Sequence, residues 1–196
     1  MKKIALGVVV VLALMGGCSA KSAYNGMVEG EETVTTSWSN VENQYQRRSD
    51  LIPNLVNTVK GYAAHEKETF EAVIAARSKA TQITVDPTNL TPEKLQEFQE
   101  AQGAVTSALG KLLAITENYP ELKANEQFQE LMAQLEGTEN RIAVARKDFN
   151  ETVQTYNLLV RRFPGNIWAG IFGFDAKDKF AAEPGAEKAP TVDFGK

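Results

Sequence analysis

At 196 residues the chain is long enough for one domain with a sizeable core, and 43% apolar with 23% charged residues is an ordinary folded composition, which excludes global disorder. No self-similarity at a period of about 20 to 50 residues is visible, which excludes a solenoid. The formal charge is −4, or −6 (19 basic against 25 acidic) without Lys2 and Lys3, an acidic excess that argues against nucleic acid as a partner; the basic residues are dispersed, which argues against recruitment to anionic lipid by charge.

The chain opens as an export signal does. Met1, Lys2 and Lys3 are a short positive segment, residues 4–15 are an apolar run of twelve, and Gly16 and Gly17 are the small residues that precede a processing point. A helix needs about 20 apolar residues to span a bilayer, so this run is too short unless residues 16–19 are recruited. Cys18, the only cysteine, stands where the run ends. That placement resembles the lipobox of bacterial lipoproteins, with Met15 where Leu is more usual. The expectation is a signal peptide over 1–17, lipidation at Cys18, and an anchor and tether over 18–26; an uncleaved anchor is the alternative. A single cysteine excludes an intramolecular disulfide.

A helical pattern starts near Tyr24 to Met27. Trp38, Val41, Tyr45, Arg48, Ile52, Leu55, Val59 and Tyr62 recur at spacings of three and four, which puts one Arg on an otherwise apolar seam. The seam keeps its phase past Pro53, whose interior position costs about 3 kcal/mol. Two arrangements fit: two helices with Asp50 capping the second, or one helix kinked near Pro53 that runs on through Phe70, Val73 and Ile74 towards Ala80. Residues 84–90, with Asp86-Pro87, read as a loop. Thr91, Pro92 and Glu93 then make a strong helix start, and Leu95, Phe98, Val105, Leu109 and Leu112 mark its apolar face as far as about Asn118. After a turn at Tyr119-Pro120-Glu121, a third periodic segment from about Ala124 carries Phe128, Leu131, Leu135, Thr138, Ile142, Ala145, Phe149, Thr152, Tyr156, Leu159 and Phe163. Pro164-Gly165 stops it.

Residues 165–174 hold Ile167, Trp168, Ile171, Phe172 and Phe174 among glycines, too apolar for a free loop. Two readings stand: the segment caps the bundle end, or Trp168 and Phe172 dock on a partner or the membrane interface. Residues 181–196 read as a flexible tail. The domain reading is thus a helical bundle over 27–164, an apolar segment over 165–180 packed on its end, and the tail.

Four motifs in order carry a family resemblance: Arg47-Arg48-Ser49-Asp50-Leu51-Ile52-Pro53-Asn54-Leu55-Val56, continuing through residues 60–67; Leu122-Lys123-Ala124-Asn125-Glu126; residues 135–146 from Leu135 to Arg146; and Phe163-Pro164 with Gly173-Phe174. Over residues 24–180 the chain resembles the LemA family. The resemblance implies an all-α, bromodomain-like, antiparallel up-and-down bundle, read here as four helical segments with the first kinked or broken near Pro53, behind an N-terminal membrane anchor, and no established enzymatic activity. Many relatives carry a longer transmembrane anchor, where this chain has a lipoprotein-like start.

Little in the residues points to catalysis. His65 is the single histidine and has no cysteine or suitably spaced carboxylates with which to hold zinc, so it reads as a surface residue. There is no nucleophile elbow and no glycine-rich phosphate loop after a strand. No catalytic, cofactor or metal residue is expected. Arg48 has two readings, a side chain at the seam's edge with its head in water, or a member of a buried charge network that sets helix register. With Arg47, Arg141 and Arg146 it joins Trp168 and Phe172 as a candidate interaction residue. The function expected is a membrane-anchored, exported scaffold on the periplasmic or extracellular face, holding an unidentified envelope protein. The alternatives are a carrier for an apolar ligand or an envelope enzyme.

Overall fold

The seam on the first helix is buried. In the computed structural model, which describes residues 2–181 and side chains from residue 16 onward, Trp38, Val41, Tyr45, Ile52, Leu55 and Val59 lie in the core, and the row extends back through Val34 to Met27. The described residues contain no strand and form six helices: α1 (Lys2–Lys60), α2 (Lys67–Gln82), α3 (Pro92–Thr116), α4 (Pro120–Lys123), α5 (Glu126–Arg161) and α6 (Gly165–Phe172). The class is all-α as expected, but six helices stand where four segments were expected, and the first long segment is divided at residues 61–66. Apart from Ala181, the expected tail lies outside the described residues.

Helix α1 packs chiefly on α5, and α2 on α3. Trp38 meets Phe149 while Arg48 meets Glu139, so numbers rise along α1 as they fall along α5 and the two helices are antiparallel. The tether expected over 18–26 is instead part of α1. It contains no proline, and Ser19 accepts a hydrogen bond from Trp168 of α6 at 3.3 Å, which ties it to the bundle.

The α5 seam departs from the expected one in a way that helix geometry explains. Phe128, Leu131, Leu135, Thr138, Ile142, Phe149 and Tyr156 are buried, but the row continues through Val153 and Val160, leaving Leu159 at 40% and Phe163 at 81% exposed. A strict seven-residue repeat drifts by about 20° per heptad around a straight helix, so over five turns or more the buried stripe slips by one position. Two further positions move out of the core. Tyr62 lies beyond the end of α1 and is exposed, and Ile74 is 53% exposed on α2 while Phe70, Val73 and Ala80 carry its packing.

The helix does not break at Pro53. Proline has no N–H for the carbonyl four residues back, which is that of Ser49, and Arg77 Nε of α2 donates to that oxygen at 2.8 Å. The orphaned acceptor is thereby satisfied from a neighbouring helix, and α1 continues to Lys60. It ends where Gly61, a poor helix former, opens a turn in which Tyr62 and Ala63 both donate to the Val59 carbonyl.

Beyond α6 the chain turns back along α5 instead of staying at the bundle end, as expected for 165–180. Gly173, at φ 77°, supplies the left-handed residue that ends α6, with the N–H groups of Gly173 and Phe174 both on the Ala169 carbonyl. Asn157 then accepts from the Lys177 N–H and donates to its carbonyl, both at 2.8 Å, and Asn150 brackets Phe180 the same way at 2.8 and 3.2 Å. The two amides, two turns apart, hold the strap as a neighbouring strand would. Phe180 enters the core and stacks on Trp38.

Arg77→Ala is expected to lower stability in urea unfolding by about 1–3 kcal/mol, the usual penalty for a buried acceptor left unpaired. In a Pro53→Ala background the restored backbone N–H serves Ser49, and the loss is expected to shrink. Equal losses in the two backgrounds would show that the Arg77 bond does not compensate for the proline.

Candidate functional site

The core divides into two apolar clusters. One contains Ile52, Leu55 and Val59 of α1 with Phe70, Val105, Leu112 and Leu131; the other contains Trp38, Val41 and Tyr45 with Phe98, Phe149 and Tyr156. Arg48 stands between them at 2% exposure. Its Nη1 donates to Thr106 Oγ1 at 2.9 Å and to Glu139 Oε1 at 3.1 Å; its Nη2 donates to the Gln102 carbonyl at 3.1 Å and to Gln102 Oε1 at 2.6 Å. The guanidinium also lies 5.0 Å from the centre of the Tyr45 ring. The buried-network reading of Arg48 is the correct one, and the reading with its head in water is not. The network joins α1, α3 and α5.

A cleft of about 120 Å³ opens beside this layer between α1, α2 and α3, lined among others by Tyr45, Arg48, Ser49, Arg77, Phe98 and Gln102. Ser49 Oγ is buried without a protein partner. Burial raises the pKa of the Tyr45 phenol, against the nearby Arg146 and Arg48 charges, which lower it. Sites for drug-sized ligands run to about 300–1,000 Å³, so the cleft suits a few waters or a small polar group. Two larger hollows lie on the outside: one is lined wholly by residues of α1 from Tyr24 to Thr36, the other is a groove between α1 and α5 lined by Asn40, Arg141 and Val144 among others.

The residues singled out in the sequence do not form one site. Arg47 is exposed beside Arg48. Arg141 is exposed and reaches Thr138 Oγ1 at 3.4 Å. Arg146 is half-buried over the Phe180 ring, 4.9 Å from its centre, and donates to the Ala181 carbonyl. Trp168 and Phe172 stack on each other at the far end, where Phe172 and Phe174 meet Tyr24 edge to face. Cys18 is exposed on α1 in the same neighbourhood, one residue from the Trp168 partner Ser19. His65 is exposed, and among the described residues no three of His, Cys, Asp and Glu come together to hold a metal.

Sequence reasoning missed Arg77, Asn150, Asn157 and Lys177. A proline inside a helix does announce an orphaned carbonyl, which would have prompted a search for Arg77. Lys177 carried no such signal. It is buried, with Nζ 2.8 Å from Glu31 Oε1, 3.0 Å from the Thr88 carbonyl and 5.4 Å from the Tyr156 ring centre. Burial pushes the pKa of the Tyr156 phenol up to about 12, helped by the Glu31 and Asp175 carboxylates.

Two of the four motifs meet at this layer, since Arg48, Ser49 and Pro53 belong to the first and Thr138 and Glu139 to the third. A sequence model of the LemA family matches residues 37–194. The chain belongs to the LemA family. This LemA-family chain is 29% identical over 181 residues to the magnetosome proteins MamQ 2 and MamQ 1 of Paramagnetospirillum magneticum strain AMB-1, a match covering 84% of this chain and 66% of each relative. It is 23% identical over 145 residues to the protein LemA of Metamycoplasma hominis, covering 74% of this chain and 63% of that one. The LemA-family chain thus spans just under two thirds of the length of these curated relatives. The family match takes in the Arg48 layer, Arg77 and α6, and begins after Cys18.

Removing one partner of a fully buried ion pair costs about 3–5 kcal/mol, but the Glu139 side chain is 39% exposed, so water replaces part of what is lost. Glu139→Ala is expected to cost about 1–3 kcal/mol in urea unfolding, and Arg48→Met combined with Glu139→Met to recover much of it. A double variant as unstable as the sum of the two single variants would contradict this coupling.

The sign for Tyr156 follows from its raised pKa. The unfolded chain releases the phenolic proton near pH 10 and the folded chain near 12, so this contribution to stability is complete below about pH 10 and is lost as pH rises towards 12. Tyr156→Phe is expected to flatten the alkaline limb of the stability curve, and phenolate absorbance of the native protein below pH 11 to be nearly the same in wild type and Tyr156→Phe, because Tyr156 contributes little there.

Proposed function

We propose that this LemA-family chain is an exported, lipid-anchored helical protein of the cell envelope that acts as a non-catalytic scaffold, presenting its helical surface to another envelope protein. The observation that carries this reading is the continuity of α1. Cys18 stands exposed on the same helix whose buried row, from Met27 to Val59, contributes to both apolar clusters. An acyl group on Cys18 would therefore be joined to the core through one unbroken helix, so that the anchor sets how the bundle stands on the membrane. Among the described residues no helix is long and apolar enough to cross a membrane.

The scaffold is favoured over the carrier and the enzyme by how the buried polar groups are used. Both terminal nitrogens of Arg48 already serve protein acceptors, and the adjoining cleft of about 120 Å³ is too small for an apolar ligand of ordinary size. The first test is metabolic labelling with a fatty-acid analogue. Label is expected on the wild-type chain and absent from Cys18→Ser, with a mature N-terminus at Cys18. Equal labelling of both, or a mature chain that still begins at Met1, would overturn the lipid anchor.

A further inference from the structure

We propose that α6, with Phe163 just before it, lies on the lipid surface beside the anchor, its outer row of Phe163, Ile167 and Ile171 entering the boundary between headgroups and acyl chains. This deepens the anchoring reading above and rests on it. The outer residues are open to solvent, at 81% for Phe163, 50% for Ile167 and 64% for Ile171, and Phe172 adds 41%. Ile167 and Ile171 are four apart and share one helix face. In the neighbouring row Trp168 turns inward to Ser19, while Phe172 meets Tyr24 edge to face and stays partly open. Helix α6 contains no charged residue. An uncharged helix with two open isoleucines and an open phenylalanine beside it is an apolar patch that a free surface does not normally carry.

Position identifies what covers the patch. The Trp168 Nε1 bond to Ser19 Oγ, at 3.3 Å, fixes α6 one residue from Cys18, so whatever surface the lipidated cysteine enters, α6 faces as well. Charge agrees with this. The exposed Arg161 and Arg162 directly precede Phe163, a basic pair at the edge of an apolar face, suited to anionic headgroups over an acyl boundary. Tryptophan and phenylalanine are the side chains favoured at that depth. The pair of Arg161 and Arg162 is a local exception among basic residues that are otherwise dispersed along the chain.

The geometry of α6 is built in. A Cβ at Gly165 would run into the Leu159 carbonyl oxygen, so the tight approach that swings α6 out of line with α5 requires glycine. Gly173 then ends the helix after two turns and sends the chain back to the Asn157 clamp.

The test uses the full chain purified from its membranes and reconstituted into vesicles of equal parts phosphatidylethanolamine and phosphatidylglycerol with bromine-labelled acyl chains. Trp38 is fully buried in the core, so quenching of tryptophan fluorescence reports on Trp168, while flotation separately reports attachment. The wild-type chain is expected to float and to be quenched. Ile167→Ser with Ile171→Ser, both at exposed positions, is expected to float through Cys18, to unfold at the wild-type temperature, and to lose about tenfold or more of the docked population, as the removal of two apolar contacts implies. Replacing phosphatidylglycerol by phosphatidylcholine is expected to weaken quenching without abolishing it. A chain that floats with Trp168 unquenched overturns the docking of α6 and leaves the anchor standing, and a chain that does not float overturns both. Photocrosslinking from position 167 to an envelope protein, with Trp168 unquenched, would give this face to a protein instead of lipid.

Discussion

A cation held at 2% exposure between two apolar clusters is the constraint around which this bundle is arranged. Arg48 cannot be left unpaired in such a place, because an uncompensated charge in low dielectric is far more costly than a missing methyl group. Its partners come from two other helices, Gln102 and Thr106 on α3 and Glu139 on α5. Slipping α1 along α5 by one turn would carry the guanidinium away from Glu139 and into apolar surroundings. The pairing therefore selects one register among several that apolar packing alone would tolerate. Glu139 remains partly open to water, and the network is thus placed at the margin of the core, where desolvation is incomplete and the pair is less costly to form.

The same stretch of α1 solves a second problem close by. Pro53 keeps the phase of the seam but removes the donor that Ser49 would otherwise receive, and Arg77 replaces it from α2. Two arginines that line one cleft thus do different work, one satisfying three side chains across the bundle and the other satisfying one backbone oxygen. Both line the small cleft in which Ser49 Oγ stands without a protein partner. The polar character of that cleft follows from structural needs, and its size leaves little room for anything else.

At the other end, the fold gathers elements that are far apart in the chain. Ser19 meets Trp168, Glu31 meets Lys177, and Trp38 meets Phe180. The strap over 173–181 holds the chain after α6 to α5 by backbone bonds to Asn150 and Asn157, and to α1 through Lys177 on Glu31 and Phe180 on Trp38, so the face that α6 presents is held firmly relative to Cys18. Rigid coupling of this kind would suit the proposed anchor at Cys18, since a flexible tether would let the bundle take any orientation.

The sequence by itself determined the helical class, the bounds of α3 and α5 to within a few residues, and most of the buried rows, but neither the start of α1 nor its end at Lys60. The features it determined depend on local chemistry: spacing of apolar side chains, the Thr91 cap whose oxygen accepts from Lys94, and the glycines and prolines between helices. Only the tertiary structure decided whether Arg48 was buried, because a lone arginine on a seam is compatible with either outcome until its partners, 54 to 91 residues away, are known. It also decided the one-position slip of the α5 row, which depends on how a long helix turns against its neighbours, and the burial of Lys177, which nothing local foretells. The strap was beyond sequence reasoning for the same reason. Its hold depends on side-chain amides meeting a backbone 20 to 30 residues later, and such pairings leave no periodic trace in the chain.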